Sequence, residues 1–237
     1  MAERAKGDVL LTHSVSPSMP IFLRFHVARS KRRGQMTHSA AAKIITLYEQ
    51  HAEAWKRLRT TDLFERPWLD RFLNLVPTNA RLLDIGCGNG TPIAEYFIRQ
   101  GFGVLGIDSS GSMIDSCLKT FPHQQWRVAD MRALALDETF GGLIAWDSFF
   151  HLTRNDQRQM FNVFRNHAGS KAALMFTSGT SDGEAIGTFE GEPLYHSSLA
   201  PAEYRQLLHE NGFRVVKMVF EDSECGGRTV WLAQSTI

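Results

Sequence analysis

The sequence predicts an α/β domain built on a doubly wound, seven-stranded sheet, mostly parallel, with an antiparallel last strand. Three observations carry this. From residue 81 onward, short apolar runs alternate with longer amphipathic stretches. The first run ends in a glycine-rich loop, "GCGNG", that opens directly into a helical pattern. The last two runs, "FRVVKMVFE" and "RTVWLAQ", have no helical pattern between them, so Cys225-Gly226-Gly227 should close a hairpin and turn the final strand antiparallel.

Ahead of the sheet, residues 39–59 read as one helix, because Ile44, Leu47, Tyr48, His51, Trp55 and Leu58 recur at three- and four-residue steps. Residues 65–76 read as a second helix, with Pro67 tolerated in its first turn. "RLLDIG" (81–86) is the first strand, and 91–101 is a helix terminated at Gly101. Strand 103–108 and helix 110–121 follow, then strands 125–130 and 141–147. Helix 153–169 opens on Thr153 with Asp156 three residues on, a capping-box spacing. Strand 171–179 leads into a Gly- and acid-rich loop. Helix 201–212 ends at Gly212, and strands 213–221 and 228–234 complete the sheet.

The 237 residues, 43% hydrophobic and 22% charged, suffice for one large domain or one domain with an extension. A net charge of +1 argues against a dedicated nucleic-acid binder. The charge is uneven. Residues 1–35 hold seven Lys/Arg against Glu3 and Asp8, while the remainder is mildly acidic. The expected organisation is a basic, disordered extension over 1–35, then a single domain over 36–237 whose helices at about 39–76 form a cap. Three cysteines, far apart and in no CxxC pairing, argue against a zinc site or a disulfide scaffold and for a reducing compartment, the cytoplasm. No apolar stretch approaches the ~18 residues of a membrane span.

In doubly wound sheets, ligands sit beyond the carboxyl ends of the strands where strand order reverses. The loop after the first strand is therefore the place to look. Its spacing is G-x-G-x-G, with Thr91 where a dinucleotide loop has its third glycine, and it lacks the Lys-Ser/Thr pair of a P-loop. Asp84 stands just before it, awkward beside a pyrophosphate but suited to an ammonium or sulfonium charge. Asp108 ends the second strand, where an acid can accept from both ribose hydroxyls, and Asp130 ends the third, within reach of a base's exocyclic amine. Glycines and acids together describe a nucleoside-like ligand without a phosphate tail.

"LLDIGCGNG", "GIDSSGSMI", "VADMRAL" and "FGGLIAWDSFFHLT" resemble the successive motifs of class I S-adenosylmethionine-dependent methyltransferases, of the small-molecule branch, over about residues 40–235. The resemblance implies a Rossmann-like methyltransferase fold and S-adenosylmethionine as cofactor. It implies that Gly86, Cys87 and Gly88 line the methionine and ribose portion, and that Asp84 holds the methionine ammonium. Asp108, with Ser109 beside it, would hold the ribose. Met113 would pack beside the adenine, Asp130 and Met131 would meet its edge, and Ala145 and Trp146 would lie near the methionine moiety. An N-terminal helix folded over the cofactor would bring Tyr48 and Arg59, the latter to the methionine carboxylate.

The acceptor is less legible, because in-line methyl transfer needs alignment and desolvation but no obligatory residue type. The segment "WDSFFHL" (146–152) has no proline of the kind found in base-amine methyltransferases, and the chain has no Pro-Cys step for cytosine C5 chemistry. A small acceptor, methylated on O, N or S, is expected. Asp147 or His151 could take its proton, with Tyr195 and His196 as second candidates. The alternatives are an RNA or protein methyltransferase using the basic head as a docking arm, and a cofactor-binding protein that has lost catalysis and acts through partners.

Overall fold

The computed structural model describes residues 33–59 and 61–237, with side chains from residue 39 onward. The basic head expected over residues 1–35 thus falls almost wholly outside the described residues. Three helices come first: α1 (Arg33–Gln50), α2 (Ala52–Leu58) and α3 (Arg66–Leu73). The alternating part follows as β1 (Leu82–Ile85), α4 (Ile93–Arg99), β2 (Val104–Asp108), α5 (Gly111–Thr120), β3 (Gln125–Val128), β4 (Phe140–Ala145), α6 (Arg154–His167) and β5 (Ala168–Ser178). The chain ends with β6 (Gly183–Phe189), β7 (Glu192–Ser198), α7 (Pro201–Glu210), β8 (Phe213–Asp222) and β9 (Arg228–Ser235).

Among the described residues, seven strands form one sheet in the order β3-β2-β1-β4-β5-β9-β8. β9 runs antiparallel to both β5 and β8, as the missing helix between the last two strands required. The order reverses between β1 and β4, which pair in parallel from Leu82↔Gly142 to Asp84↔Ile144. This Rossmann-like architecture places its crevice at the carboxyl ends of those strands.

Both faces of the sheet are covered. On one, Met160, Phe161 and Phe164 of α6 and Tyr204 and Leu208 of α7 pack with Phe149, Phe176 and Trp231. On the other, Trp68, Leu69 and Phe72 of α3, Phe97 of α4 and Ile114 and Cys117 of α5 pack with Trp126, Trp146 and Met175. Thr153 caps α6 as its spacing predicts, accepting from the Asp156 backbone N–H at 3.2 Å.

Two expectations need correction. The single helix over 39–59 is two, because the backbone leaves helical geometry at His51 (φ −109°, ψ 22°) before α2 begins. The Gly- and acid-rich loop after β5 is a second, two-stranded sheet: β6 and β7 pair antiparallel around Glu190-Gly191, both at positive φ (48° and 82°). Two left-handed residues between paired strands match the right-handed twist of a tight hairpin. The hairpin supports α1, whose Leu47 packs with Phe189 and Leu194, while the Tyr48 ring stacks on Phe189 at 5.9 Å.

Candidate functional site

A cavity of about 280 Å³ lies at the strand-order reversal. Its floor is the β1–α4 loop and the ends of β2, β3 and β4, and its roof is α1 with Trp55 and Arg59 of the following segment. Of the residues expected at a cofactor, Tyr48, Arg59, Asp84, Gly86, Cys87, Gly88, Asp108, Ser109, Met113, Asp130, Met131 and Trp146 all line it. Ala145 does not: it is fully buried in the aromatic core under β4.

The loop conformation depends on its glycines. Gly86 has φ 77°, and a Cβ there would sit 2.4 Å from Cβ of Ser148, whose hydroxyl donates to the Ile85 carbonyl at 2.7 Å. Gly88 has φ 54°, and a Cβ there would meet the Trp55 indole nitrogen at 3.2 Å. Side chains at these positions would be strained as well as obstructed.

Asp108 fastens this loop to the next helix. Its Oδ2 accepts from the Gly88 N–H and its Oδ1 from the Ser110 N–H, both at 2.9 Å. Burial raises its pKa, those N–H groups oppose the rise, and Glu49 nearby adds to it. Asp84 is 3% exposed, and no basic side chain among the described residues forms an ion pair with it. Burial, with Asp108 adding repulsion, pushes its carboxyl up to about 7. A buried acid at a cavity wall without a counter-charge is a site prepared for a cation. The Trp146 indole N–H, buried on the same wall, has no acceptor among the described residues. Asp130 lies at the cavity but is gripped by Arg132, whose Nε is 3.0 Å from both carboxylate oxygens; that hydrogen bonding lowers the Asp130 pKa. Arg59 reaches the cavity with Nη2 bonded to Glu65 Oε1 at 2.6 Å, and Glu65 is fully buried.

The acceptor-side expectations divide. His151 lines the cavity, with Nε2 2.8 Å from the Tyr48 hydroxyl and Nδ1 2.8 Å from the Tyr195 carbonyl. Burial lowers its pKa to about 4, so the ring is neutral. Asp147 also lines the cavity, but it is no free base. Both its oxygens accept from Arg228, at 2.6 and 2.9 Å, and the Arg228 guanidinium lies 4.7 Å from the Phe64 ring centroid. Tyr195 and His196 sit on β7 behind His151, outside the cavity lining. The Tyr195 hydroxyl donates to Glu184 at 3.0 Å, and burial raises its pKa to about 12. The His196 ring packs against His151 at 4.7 Å between centroids, buried and held neutral. Neither serves as a base toward the cavity.

Sequence reasoning missed Glu49, Ser148, Trp55 and Arg228. Glu49 reaches from α1 to the first turn of α5, where Ser110 Oγ donates at 2.6 Å, Ser112 Oγ at 2.7 Å and Ser112 N–H at 3.2 Å. Trp55 lay in plain view, on the same helical period as Tyr48 and Arg59. Arg228 had no local signal, being 81 positions from its partner.

Residues 82–169 match a protein-family model described as a methyltransferase domain. An O-methyltransferase of Pyrenophora dematioidea is 29% identical over 168 residues, 65% of this chain and 62% of its own. The chain thus spans less than two thirds of that relative. A putative methyltransferase of Invertebrate iridescent virus 6 is 33% identical over 79 residues, 32% of this chain and 28% of its own. Among solved structures, a Burkholderia thailandensis 1,6-didemethyltoxoflavin N1-methyltransferase, with that compound and S-adenosylhomocysteine bound, superposes with a TM-score of 0.67 at 16% identity. The match covers 85% of this chain and 91% of that one. An amino pentose methyltransferase from Micromonospora echinaspora, bound to S-adenosylmethionine, gives 0.62 at 18% identity over 79% and 96%. At these identities the structural matches speak to the fold, which is that of class I methyltransferases.

Proposed function

We infer that this chain, with a class I methyltransferase domain at its centre, transfers a methyl group from S-adenosylmethionine to a small-molecule acceptor. The observation that carries the reading is the pair of buried carboxylates, Asp84 and Asp108, at adjacent strand ends around the Gly86–Gly88 turn. Asp84 has no counter-charge among the described residues and fits the methionine ammonium, and Asp108 fits the ribose hydroxyls. The Trp146 N–H, without an acceptor among the described residues, and the Arg59 guanidinium suit the methionine carboxylate. Met113, Asp130 and Met131 suit the adenine. Bound there, S-adenosylmethionine would supply a methyl group on a positively charged sulfur, a leaving group that departs neutral.

The protein's part is alignment and exclusion of water. α1 roofs the cavity, tied down by Glu49 at α5, by Tyr48 at His151 and by His51, whose Nε2 is 2.8 Å from Glu192 Oε1 on β7. His151 is the ring nitrogen base left in the cavity once Asp147 is assigned to Arg228. We take residues 36–237 as one catalytic domain with 39–76 as its cap. The free Cys87, Cys117 and Cys225 fit a reducing cytoplasm. The small-molecule acceptor is supported by what relatives of this fold use and by a cavity of about 280 Å³ roofed by a helix.

Calorimetric titration with S-adenosylmethionine, S-adenosylhomocysteine and NAD tests the reading. Binding of the first two and not the third is expected; NAD binding alone would overturn it.

A further inference from the structure

Tyr48 and His151 belong to opposite sides of the cavity, one on the roof and one in the short turn Phe149–His151 after β4. They meet in a directed chain of hydrogen bonds. The Tyr195 carbonyl can only accept, so His151 Nδ1 carries the ring proton. Nε2 then presents a lone pair, and the Tyr48 hydroxyl at 2.8 Å donates to it. The Tyr48 oxygen keeps its own lone pairs, on a side chain that lines the cavity.

We propose, resting on the methyl-transfer reading above, that Tyr48 and His151 form a proton relay for a neutral hydroxyl acceptor. The acceptor's O–H proton passes to Tyr48 Oη while the Tyr48 proton passes to His151 Nε2. The acceptor oxygen retains the O–H electron pair and bonds the methyl carbon, and the carbon–sulfur pair stays on sulfur. The products are a methyl ether, a neutral thioether and an imidazolium. One positive charge leaves sulfur as one arrives on His151, so the charge inside the buried cavity does not change.

The wall chemistry selects the acceptor class. Arg59 is bonded to Glu65 through Nη2 and, on the reading above, meets the cofactor's carboxylate, while Arg132 is bonded to Asp130 with Asp156 3.9 Å away. With the cofactor bound as proposed, Asp84 faces its ammonium and Asp108 its ribose, so neither acid offers a cation to the acceptor. A carboxylate or phosphate acceptor would find the wall's two arginines already bonded. An amine would be held there as ammonium, its lone pair occupied. A thioether or tertiary amine has no proton to lose and would leave the relay idle. A hydroxyl stays neutral, and Ile44, Ile45 and Leu152 offer its carbon body an apolar wall.

Burial keeps both members in the neutral state the relay needs: it raises the Tyr48 pKa, with Asp147 and Asp108 adding to the rise, and lowers that of His151. The groups facing His151 are Tyr48 from α1, the Tyr195 carbonyl and the His196 ring from β7, and Asp147, whose charge Arg228 balances.

The test is 15N NMR of histidine-labelled full chain, titrated with pH in complex with S-adenosylmethionine and with S-adenosylhomocysteine. His151 is expected in the Nδ1–H tautomer in both. Its pKa should be higher, by on the order of one unit, in the S-adenosylhomocysteine complex, where the neighbouring positive charge is gone. In Tyr48→Phe, which keeps the ring and removes the donor, the His151 Nε2 signal should shift; an unchanged signal would overturn the hydrogen bond on which the relay rests. Equal titration in the two complexes, or an Nε2–H tautomer, would overturn the relay. The acceptor class is read by incubating the protein with methyl-labelled cofactor and a mixed metabolite extract. O-methyl products support it; N-methyl or S-methyl products, or none, overturn it. If calorimetry finds that neither cofactor form binds, the methyl-transfer reading itself has failed and takes the relay with it.

Discussion

Asp108 accepts backbone N–H groups from the glycine loop and from the start of α5, so it holds the two walls of the proposed ribose site together while facing the cavity itself. Asp108→Ala is expected to weaken S-adenosylhomocysteine binding by about 2 kcal/mol, the scale of losing hydrogen bonds to a charged group; calorimetry with unchanged affinity would remove Asp108 from the site. Asp84 makes a prediction in pH. Its folded pKa, about 7, lies above the ordinary 3.8, so the ligand-free fold binds this proton more tightly than the unfolded chain does. Asp84's contribution to stability therefore declines as pH rises from about 4 to 7. A methionine ammonium needs the carboxylate. Cofactor affinity should rise through that range, weaken about tenfold per pH unit below 7, and level off above it, with a proton released on binding near pH 6. Titrations in buffers of different ionisation heat measure both; a flat affinity from pH 5 to 8 would refute the assignment. These acids were legible because strand ends in a doubly wound sheet converge on one crevice. Asp147, Tyr195 and His196 were not, since their roles depend on Arg228 and Glu184, partners brought in by other strands.

At the scale of elements, period and punctuation identified all seven strands of the main sheet and the helices between them. The hairpin β6–β7 was hidden by its glycines and acids, although Glu190-Gly191 carries the tight-turn signal. The break at His51 was hidden because the apolar period runs on through it, from Leu47 to Trp55. Both matter for the roof. The break lets α2 turn away after Tyr48 is placed, and the hairpin is what α1 lies on. Glu49 supplies the third support. Its hydrogen bonds from Ser110 and Ser112 hold its carboxyl below the ordinary carboxylate range, so this tie is present at neutral pH and is lost on acidification through that lowered pKa. Glu49→Ala removes a helix-end acceptor worth about 1 kcal/mol, and should speed S-adenosylhomocysteine release about fivefold. Stopped-flow dissociation measures it, and an unaltered rate would mean the roof does not depend on this side chain.

For the whole molecule, the strand order and the antiparallel last strand follow from the chain's alternation and from the one place where a helix is missing. The cavity then follows from the reversal between β1 and β4. Removing residues 1–32, which keeps α1 from Arg33 onward, should shift the melting temperature by less than about 2 °C, under 1 kcal/mol for a domain of this size; a larger fall by calorimetry would show that the head packs on the body. The roof has a consequence for timing. α1 roofs the cavity and, with His51 just after it, is fastened to α5, to the turn after β4 and to β7. The residue proposed to pass the acceptor's proton, Tyr48, is itself one of these fastenings. Where lifting of α1 admits the ligands, the proposed relay is broken at the start and end of each turnover, and the rate of that lifting sets an upper limit on how often the reaction repeats.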